Sequence, residues 1–390
     1  MQPGGVKNSM RSFFTQPHPV IVSAVLVISC LMMWYSGSVL KQYVQPTGLD
    51  DVDLKKGTVQ SVVHQSSDYN DLVRRTITVQ TLKVQAGDQT YEVSNDIAPV
   101  SSGASVYIAY DTNNETYSVV QLSRAQPSLY LLIAFFVIVL LVTGLSGLRS
   151  LVGLMWSAGV LASYTIPGLL AGTNPVQVGI ISAMVILLVS MYVSHGVNKK
   201  TIAALTGLSV TLTVVAILAS LTARAFHFTG VAGEESFLLQ GVSAVSIDYV
   251  GLLIAGIIIA GVGVLDDIAL TQSSTVFALA ESAEHLKGGQ LFKKAMQVGH
   301  DHISAVVNTL IMAYVGAALP LIMLMVISGQ GTVMALNNEI VAQEIVRTIV
   351  SSIGLVLAVP LTTALATMLV GKGEFNSSDR DEHSSIAKHF

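Results

Sequence analysis

The chain has 390 residues, 52% of them apolar and only 11% charged, against about 25% charged in an ordinary soluble protein. That composition excludes a soluble globular enzyme and reads as a membrane protein. The net charge of −4 is spread over tails and one polar segment, and the single cysteine, Cys30, rules out an internal disulfide framework or a cysteine metal cluster.

Lys7 and Arg11 open the chain ahead of a first apolar run at 20–40. It exceeds the 7 to 15 apolar residues of a secretory signal and ends in Leu40-Lys41-Gln42 without a small-residue cleavage pattern, so it is expected to stay as an anchor. Residues 45–127 break the hydrophobic pattern. Gly57 to Gln65, Arg74 to Val84, Gln89 to Val93, Ala104 to Ala109 and Thr116 to Leu122 are β-branched, aromatic or alternating, and turn formers such as Ala86-Gly87-Asp88 separate them. Five short strands are predicted, in a small barrel or sandwich, with an oligonucleotide-binding-type barrel as one option. From Lys41 to Arg124 there are 7 basic and 10 acidic residues, no cationic footprint for nucleic acid.

Further runs long enough to cross about 30 Å of hydrocarbon follow at 128–147, 150–171, 176–195, 201–223, 247–266, 303–327 and 346–370. Eight spans are predicted in all. Lys7 and Arg11, Arg149, Lys199 and Lys200, Lys287, Lys293 and Lys294, and Lys372, Arg380 and Lys388 then fall on one side, with Arg224 and Arg347 as exceptions near span ends, and the positive-inside rule makes that side cytoplasmic. Both termini are expected there, in a cell membrane. Glu234, Glu235 and Asp248 fall opposite, as loop charges or an outer vestibule. Gly251, Gly256, Gly261, Gly263, Ala313, Gly316 and Ala317 are candidates for close helix approach, and Pro167, Pro320 and Pro360 for kinks or half-helices.

The predicted architecture is therefore an α-helical bundle of about eight transmembrane helices with a small extracytoplasmic all-β domain inserted after the first. Its parts are a cytoplasmic segment at 1–19, an anchor at 20–44, the β domain at 45–127, a seven-helix domain at 128–371 and a disordered cytoplasmic tail at 372–390.

Function is sought where charge meets hydrocarbon. Asp266, Asp267, Glu281, Glu284, His285, His300, Asp301 and His302 crowd the ends of two spans, although an acidic side chain at a span's centre costs roughly 2.5 to 3.5 kcal/mol on insertion scales. Beyond span six, Asp267, Thr271, Ser274, Ala278, Glu281 and His285 recur at helical spacing, opposite Ile268, Val276, Phe277 and Leu279. This predicts an amphipathic helix lying on the membrane or under the bundle. Glu284 and Lys287 suit a surface helix pair. Asp301, Ala305, Asn308 and Met312 share a face of the next helix, and the cost of an amide in lipid predicts that Asn308 points inward. A short connection would put Asp266 or Asp267 and Asp301 at one depth, where they can meet and titrate as a unit. The simpler roles are capping by Asp267 and interfacial exposure of His300 and His302.

Read as a string, Gly263-Val-Leu-Asp-Asp-Ile-Ala-Leu-Thr-Gln-Ser-Ser, Val276-Phe-Ala-Leu-Ala-Glu281, Gly299-His-Asp-His-Ile303 and Asn308-Thr-Leu-Ile-Met-Ala-Tyr-Val-Gly316 with Leu319-Pro320 resembles the YibE/F family of membrane proteins. The resemblance implies an anchor, a β-rich domain and a multispan region, and a related shorter membrane subunit or a second copy as partner, besides lipid. A looser, pattern-level likeness is to the proton-conducting half of Sec accessory and resistance-nodulation-division proteins. The leading expectation is an ion- or proton-linked transporter, with Asp266, Asp267, Gln272, Glu281, Asp301 and Asn308 on the ion pathway. One alternative is a membrane-embedded metal-dependent enzyme using His300, Asp301 and His302 for a divalent cation. The other is an assembly subunit that binds a partner through its β domain.

Overall fold

The computed structural model describes residues 19–43, 54–70, 75–111, 116–242, 246–283, 285–329 and 331–373. The expected N-terminal segment before Pro19, the tail beyond Gly373 and Glu284 lie outside them. In chain order the elements are α1 (Pro19–Leu40), β1 (Lys55–Asn70), β2 (Arg75–Ala86), β3 (Gln89–Asn95), β4 (Ser105–Asp111), β5 (Thr116–Leu122), α2 (Ala125–Thr143), α3 (Leu145–Val160), α4 (Ile166–Leu170), α5 (Pro175–His195), α6 (Lys199–Ala225), α7 (Glu234–Val242), α8 (Tyr249–Ser282), α9 (Gly288–Ala317), α10 (Leu319–Ile327), α11 (Thr332–Asn337) and α12 (Glu339–Gly373). The chain divides into one unit of Val44–Gly144 and another of Met1–Tyr43 with Leu145–Phe390.

In the smaller unit the alternating runs become a closed barrel in the order β1-β2-β3-β5-β4, with β3 and β5 parallel and the other pairs antiparallel. This is the arrangement of the oligonucleotide-binding type of barrel. Register irregularities between Val59 and Ser61 and between Val62 and His64 bend β1, which pairs with both β2 and β4. Val59, Leu82, Val84, Val93, Val106, Ile108 and Val119 fill the interior. Gly57 is a glycine because an added Cβ would collide with Val84 and lie 2.8 Å from the Gln85 carbonyl. Two buried amides hold the segment after β3: Asn95 Nδ2 donates to Gln80 Oε1 and the Ala98 carbonyl, and Gln80 Oε1 accepts from Val100 N at 2.7 Å. α2, in the same unit, has no buried residue. Its Leu141 and Val142 are 80% and 78% exposed, an apolar surface that lipid covers without cost.

In the larger unit, α5, α6, α8 and α12 share one apolar core that includes Leu187, Leu208, Ile258, Leu265 and Leu355. Seven helices across the described residues are long and apolar enough to cross a membrane, or eight if the bent pair α9 and α10 counts as one span. The predicted span at 303–327, seventh in order, is thus a broken one: α9 and α10 meet at 58°, at Pro320 in the first turn of α10, which offers no N–H and whose ring clashes with the carbonyl four residues back in a continuous helix. Pro167 follows a π-helical turn at Leu161–Thr165, whereas Pro360 lies inside α12. Glu234 and Glu235 start a short helix instead of a loop. Asp248 caps α8, accepting from Gly251 N at 2.9 Å.

The close helix contacts fall mainly on other glycines than those expected. Of the expected set Gly251 packs, 3.1 Å from Pro175 at its Cβ position, but Gly256, Gly263 and Gly316 face open space. Gly179 against Ala255, Gly207 against Thr362 and Gly354 against Val215 make the approaches. Pro175 opposite Gly251 and Gly179 opposite Ala255 keep one offset, so α5 and α8 run parallel.

Candidate functional site

α8 has 34 residues and is about 51 Å long, some 20 Å more than a hydrocarbon core of about 30 Å. The separate amphipathic helix expected after span six is instead the uninterrupted second half of α8. Its apolar side packs against the bundle. Val276 and Phe277 pack with Leu291 and Ala295 of α9, Ala203 of α6 and Ala366 of α12 in a second small core. Asp267, Thr271, Ala278 and Glu281 are exposed, with Ser274 partly so, and His285 follows in the exposed turn after the helix.

Polar contacts tie this extension together. Gln272, 3% exposed, donates to the Ala295 carbonyl at 3.1 Å and to Thr363 Oγ1 at 2.8 Å, so one amide links α8, α9 and α12. Thr363 passes its own hydrogen to the Val359 carbonyl at 2.6 Å. Ser273 Oγ donates to the Lys200 carbonyl of α6 at 2.8 Å. At Gly299 an added Cβ would lie 2.6 Å from Val359 Cγ1 and 3.1 Å from both polar atoms of the Gln272 amide.

The acid pair sits just above this tie. Asp266 is half-buried and Asp267 exposed, about 26 Å along α8 from Tyr249 for Asp266. Asp267 follows Asp266 directly on α8, and His195 is the last residue of α5. The parallel packing of α5 and α8 brings His195 to this level. Asn198 fixes the corner, its Nδ2 donating to the His195 carbonyl at 2.9 Å while its Oδ1 caps α6 through Thr201 N at 2.9 Å. His195 was missed in the sequence because it closes a different span. The signal was available: it stands four residues before the Lys199-Lys200 pair, on the same predicted side as Asp267.

Because Gln272 meets Ala295 and Gly299, α9 returns beside α8 with Asp301 within about a turn of the depth of Asp267. Asp301 and Asn308 nevertheless occupy an exposed face of α9, with Ser304, Ala305, Thr309 and Met312. The inward orientation expected for Asn308 is therefore corrected: the inner face of α9 is taken by Val306, Val307 and Leu310. Glu281 stands exposed near the C-terminal end of α8. His300 is exposed and His302 half-buried, with Nε2 buried and unpartnered. Among the described residues no group of three or more His, Cys, Asp or Glu side chains is arranged to hold a metal ion. On a continuous helix, side chains two apart point to different sides, so His300 and His302 do not converge.

The sequence of YibE/F-like proteins matches residues 131–372, more than half of the chain. The chain belongs to the YibE/F-like family. No match was found among curated proteins or solved structures. The match covers the helices that carry Asp266, Asp267, Gln272, Asp301 and Asn308, and it excludes the barrel. The protein is a multispan helical membrane protein of this family.

Proposed function

We propose that this YibE/F-like protein is an ion- or proton-linked transporter whose ion-binding point is the Asp266–Asp267 pair with His195. One observation carries the reading: a half-buried carboxylate lies in the middle of a long helix, beside a second carboxylate, and the neighbouring span packed parallel to that helix ends in a histidine near their level. Buried acids in membrane helices are costly and serve ion or proton pathways. Gln272 acts as a positioning residue, fixing the three helices beneath the pair, and Glu281 lies at the pathway's entry. The lysines at 199, 200, 287, 293 and 294 share that end, which we assign to the cytoplasm together with both termini; the barrel is then extracytoplasmic.

Asp301 and Asn308 extend the path along a face that would meet lipid in a lone subunit. Ser304, Ala305 and Thr309 on that face suit close helix contact. A second copy, or a related membrane subunit, completes the path there.

The test uses purified protein in vesicles loaded with a pH-sensitive dye, with proton entry followed after an imposed pH gradient. Asp267→Asn and Asp266→Asn should each cut entry at least about tenfold, and Asp301→Asn should cut it less, in protein that elutes and melts like the native chain. Native rates in both Asp266 and Asp267 variants would reject the site.

A further inference from the structure

Between α9, α10, α11 and α12 lies an open apolar cleft of about 660 Å³, within the range of roughly 300 to 1,000 Å³ typical of ligand sites. Tyr314, Leu321, Met325 and Ile349 are among its lining residues, and Glu344 is its one charged group. A second cleft of about 270 Å³ shares Ile311, Thr348 and Ile349 with it and continues along α12 to Leu357. From Glu344 to Leu357 the furrow runs about 20 Å at 1.5 Å per residue, somewhat beyond the half-thickness of a bilayer core of about 30 Å.

At its polar end Glu344 Oε1 accepts from Arg347 Nη1 at 2.9 Å, both side chains being about one-third exposed. A paired positive and negative charge at the mouth of an apolar furrow, the guanidinium keeping further N–H donors and the carboxylate a second oxygen beyond their shared bond, matches one kind of amphiphile. We propose that the furrow binds a zwitterionic phospholipid, one acyl chain lying along α12, its phosphate on Arg347 and its ammonium on Glu344. Arg favours phosphate through paired N–H donors, and the carboxylate supplies the acceptor that an ammonium needs. An anionic lipid would offer the phosphate but set a headgroup without a cation against Glu344. The break between α9 and α10 at Pro320 falls beside the cleft, where Ile345 and Ile349 of α12 stand exposed. This site is independent of the ion-binding point, which lies on α8 and α5.

The experiment is native mass spectrometry of the full chain, stripped of lipid in detergent and titrated with dioleoyl phosphatidylethanolamine or dioleoyl phosphatidylglycerol. The native chain should retain one phosphatidylethanolamine at about tenfold lower concentration than phosphatidylglycerol. Glu344→Gln should bring the two lipids level, Arg347→Gln should weaken both, and Ile349→Trp should block the furrow for both. Val356→Trp, lower in the furrow, serves as a second block should Ile349→Trp fail to fold. Equal retention of the two lipids by the native chain, or retention unchanged by every variant, overturns the proposal, as does a preference for phosphatidylglycerol.

Discussion

Gly299→Ala separates packing from helix propensity, because the two predict opposite signs. In a helix interior, replacing Gly with Ala stabilises by roughly 0.5–1 kcal/mol on backbone grounds alone. At Gly299 the new Cβ would stand 2.6 Å from Val359 Cγ1 and 3.1 Å from the Gln272 amide, closer than packed carbons allow. Overpacking of a tight contact costs typically 1–3 kcal/mol, and pushing α9 away also stretches the Gln272 bond to the Ala295 carbonyl, worth about 0.5–1.5 kcal/mol. The net expectation is a loss of about 1–3 kcal/mol. Domains of some 150–250 residues lose about 2–4 °C per kcal/mol, so thermal unfolding in detergent, followed by helical circular dichroism, should fall by at least about 2 °C. Gly256→Ala, at a position with open space around it, should melt at or above the native temperature. Val359→Ala combined with Gly299→Ala should recover part of the loss, with a coupling of about 0.5 kcal/mol or more. If Gly299→Ala melts like Gly256→Ala, or Val359→Ala adds its own cost without coupling, the three-helix tie is not as described.

Glu339 accepts from Thr229 N at 2.7 Å, Thr229 Oγ1 and Gly230 N, and its neighbour Gln343 donates to the same carboxylate. Glu339→Ala should free the segment between α6 and α7, costing about 2 kcal/mol, and limited proteolysis should cut at 229–233 faster than in the native chain. Asp248→Ala removes the cap of α8 and should cost about 1 kcal/mol in thermal unfolding; an unchanged melt would mean that another group caps the helix. In the barrel, Gly57→Val should disrupt the pairing of β1 with β2 where Gly57 meets Val84 and Gln85, seen as lost amide-exchange protection over 55–70 while the spans stay protected. Protection unchanged in β1 would contradict that packing.

The span pattern was legible because crossing lipid demands length and apolarity together, and both can be counted. The barrel strands were legible for a related reason: alternation puts Leu82 and Val84 on one face, and Ala86-Gly87-Asp88 stops β2 where the structure stops it. What the sequence could not reveal is azimuth. Gly256 and Gly207 look alike in a string, yet one meets open space and the other Thr362. The cost of an amide in lipid predicts that Asn308 points inward, but that argument assumes a single chain, and in this chain the inner face of α9 goes to aliphatic residues. The second half of α8 read as amphipathic, correctly, but periodicity alone does not distinguish a membrane surface from a packed extension. Gln272 fell inside the recognised string, whereas its partners Ala295 and Thr363 lie 23 and 91 positions away, beyond any local pattern. His195 needed the parallel packing of α5 on α8 to be seen at all.

A charge exchange across α5 and α8 tests the proposed ion-binding point most directly. His195→Asp alone and Asp267→His alone should each reduce proton entry into dye-loaded vesicles at least about tenfold, since each leaves like charges or paired imidazoles at the point. The two exchanged together keep one acid and one histidine in place and should restore entry to at least about a third of the native rate. Single variants that conduct at the native rate, or an exchanged pair no better than the worse single variant, would contradict the account.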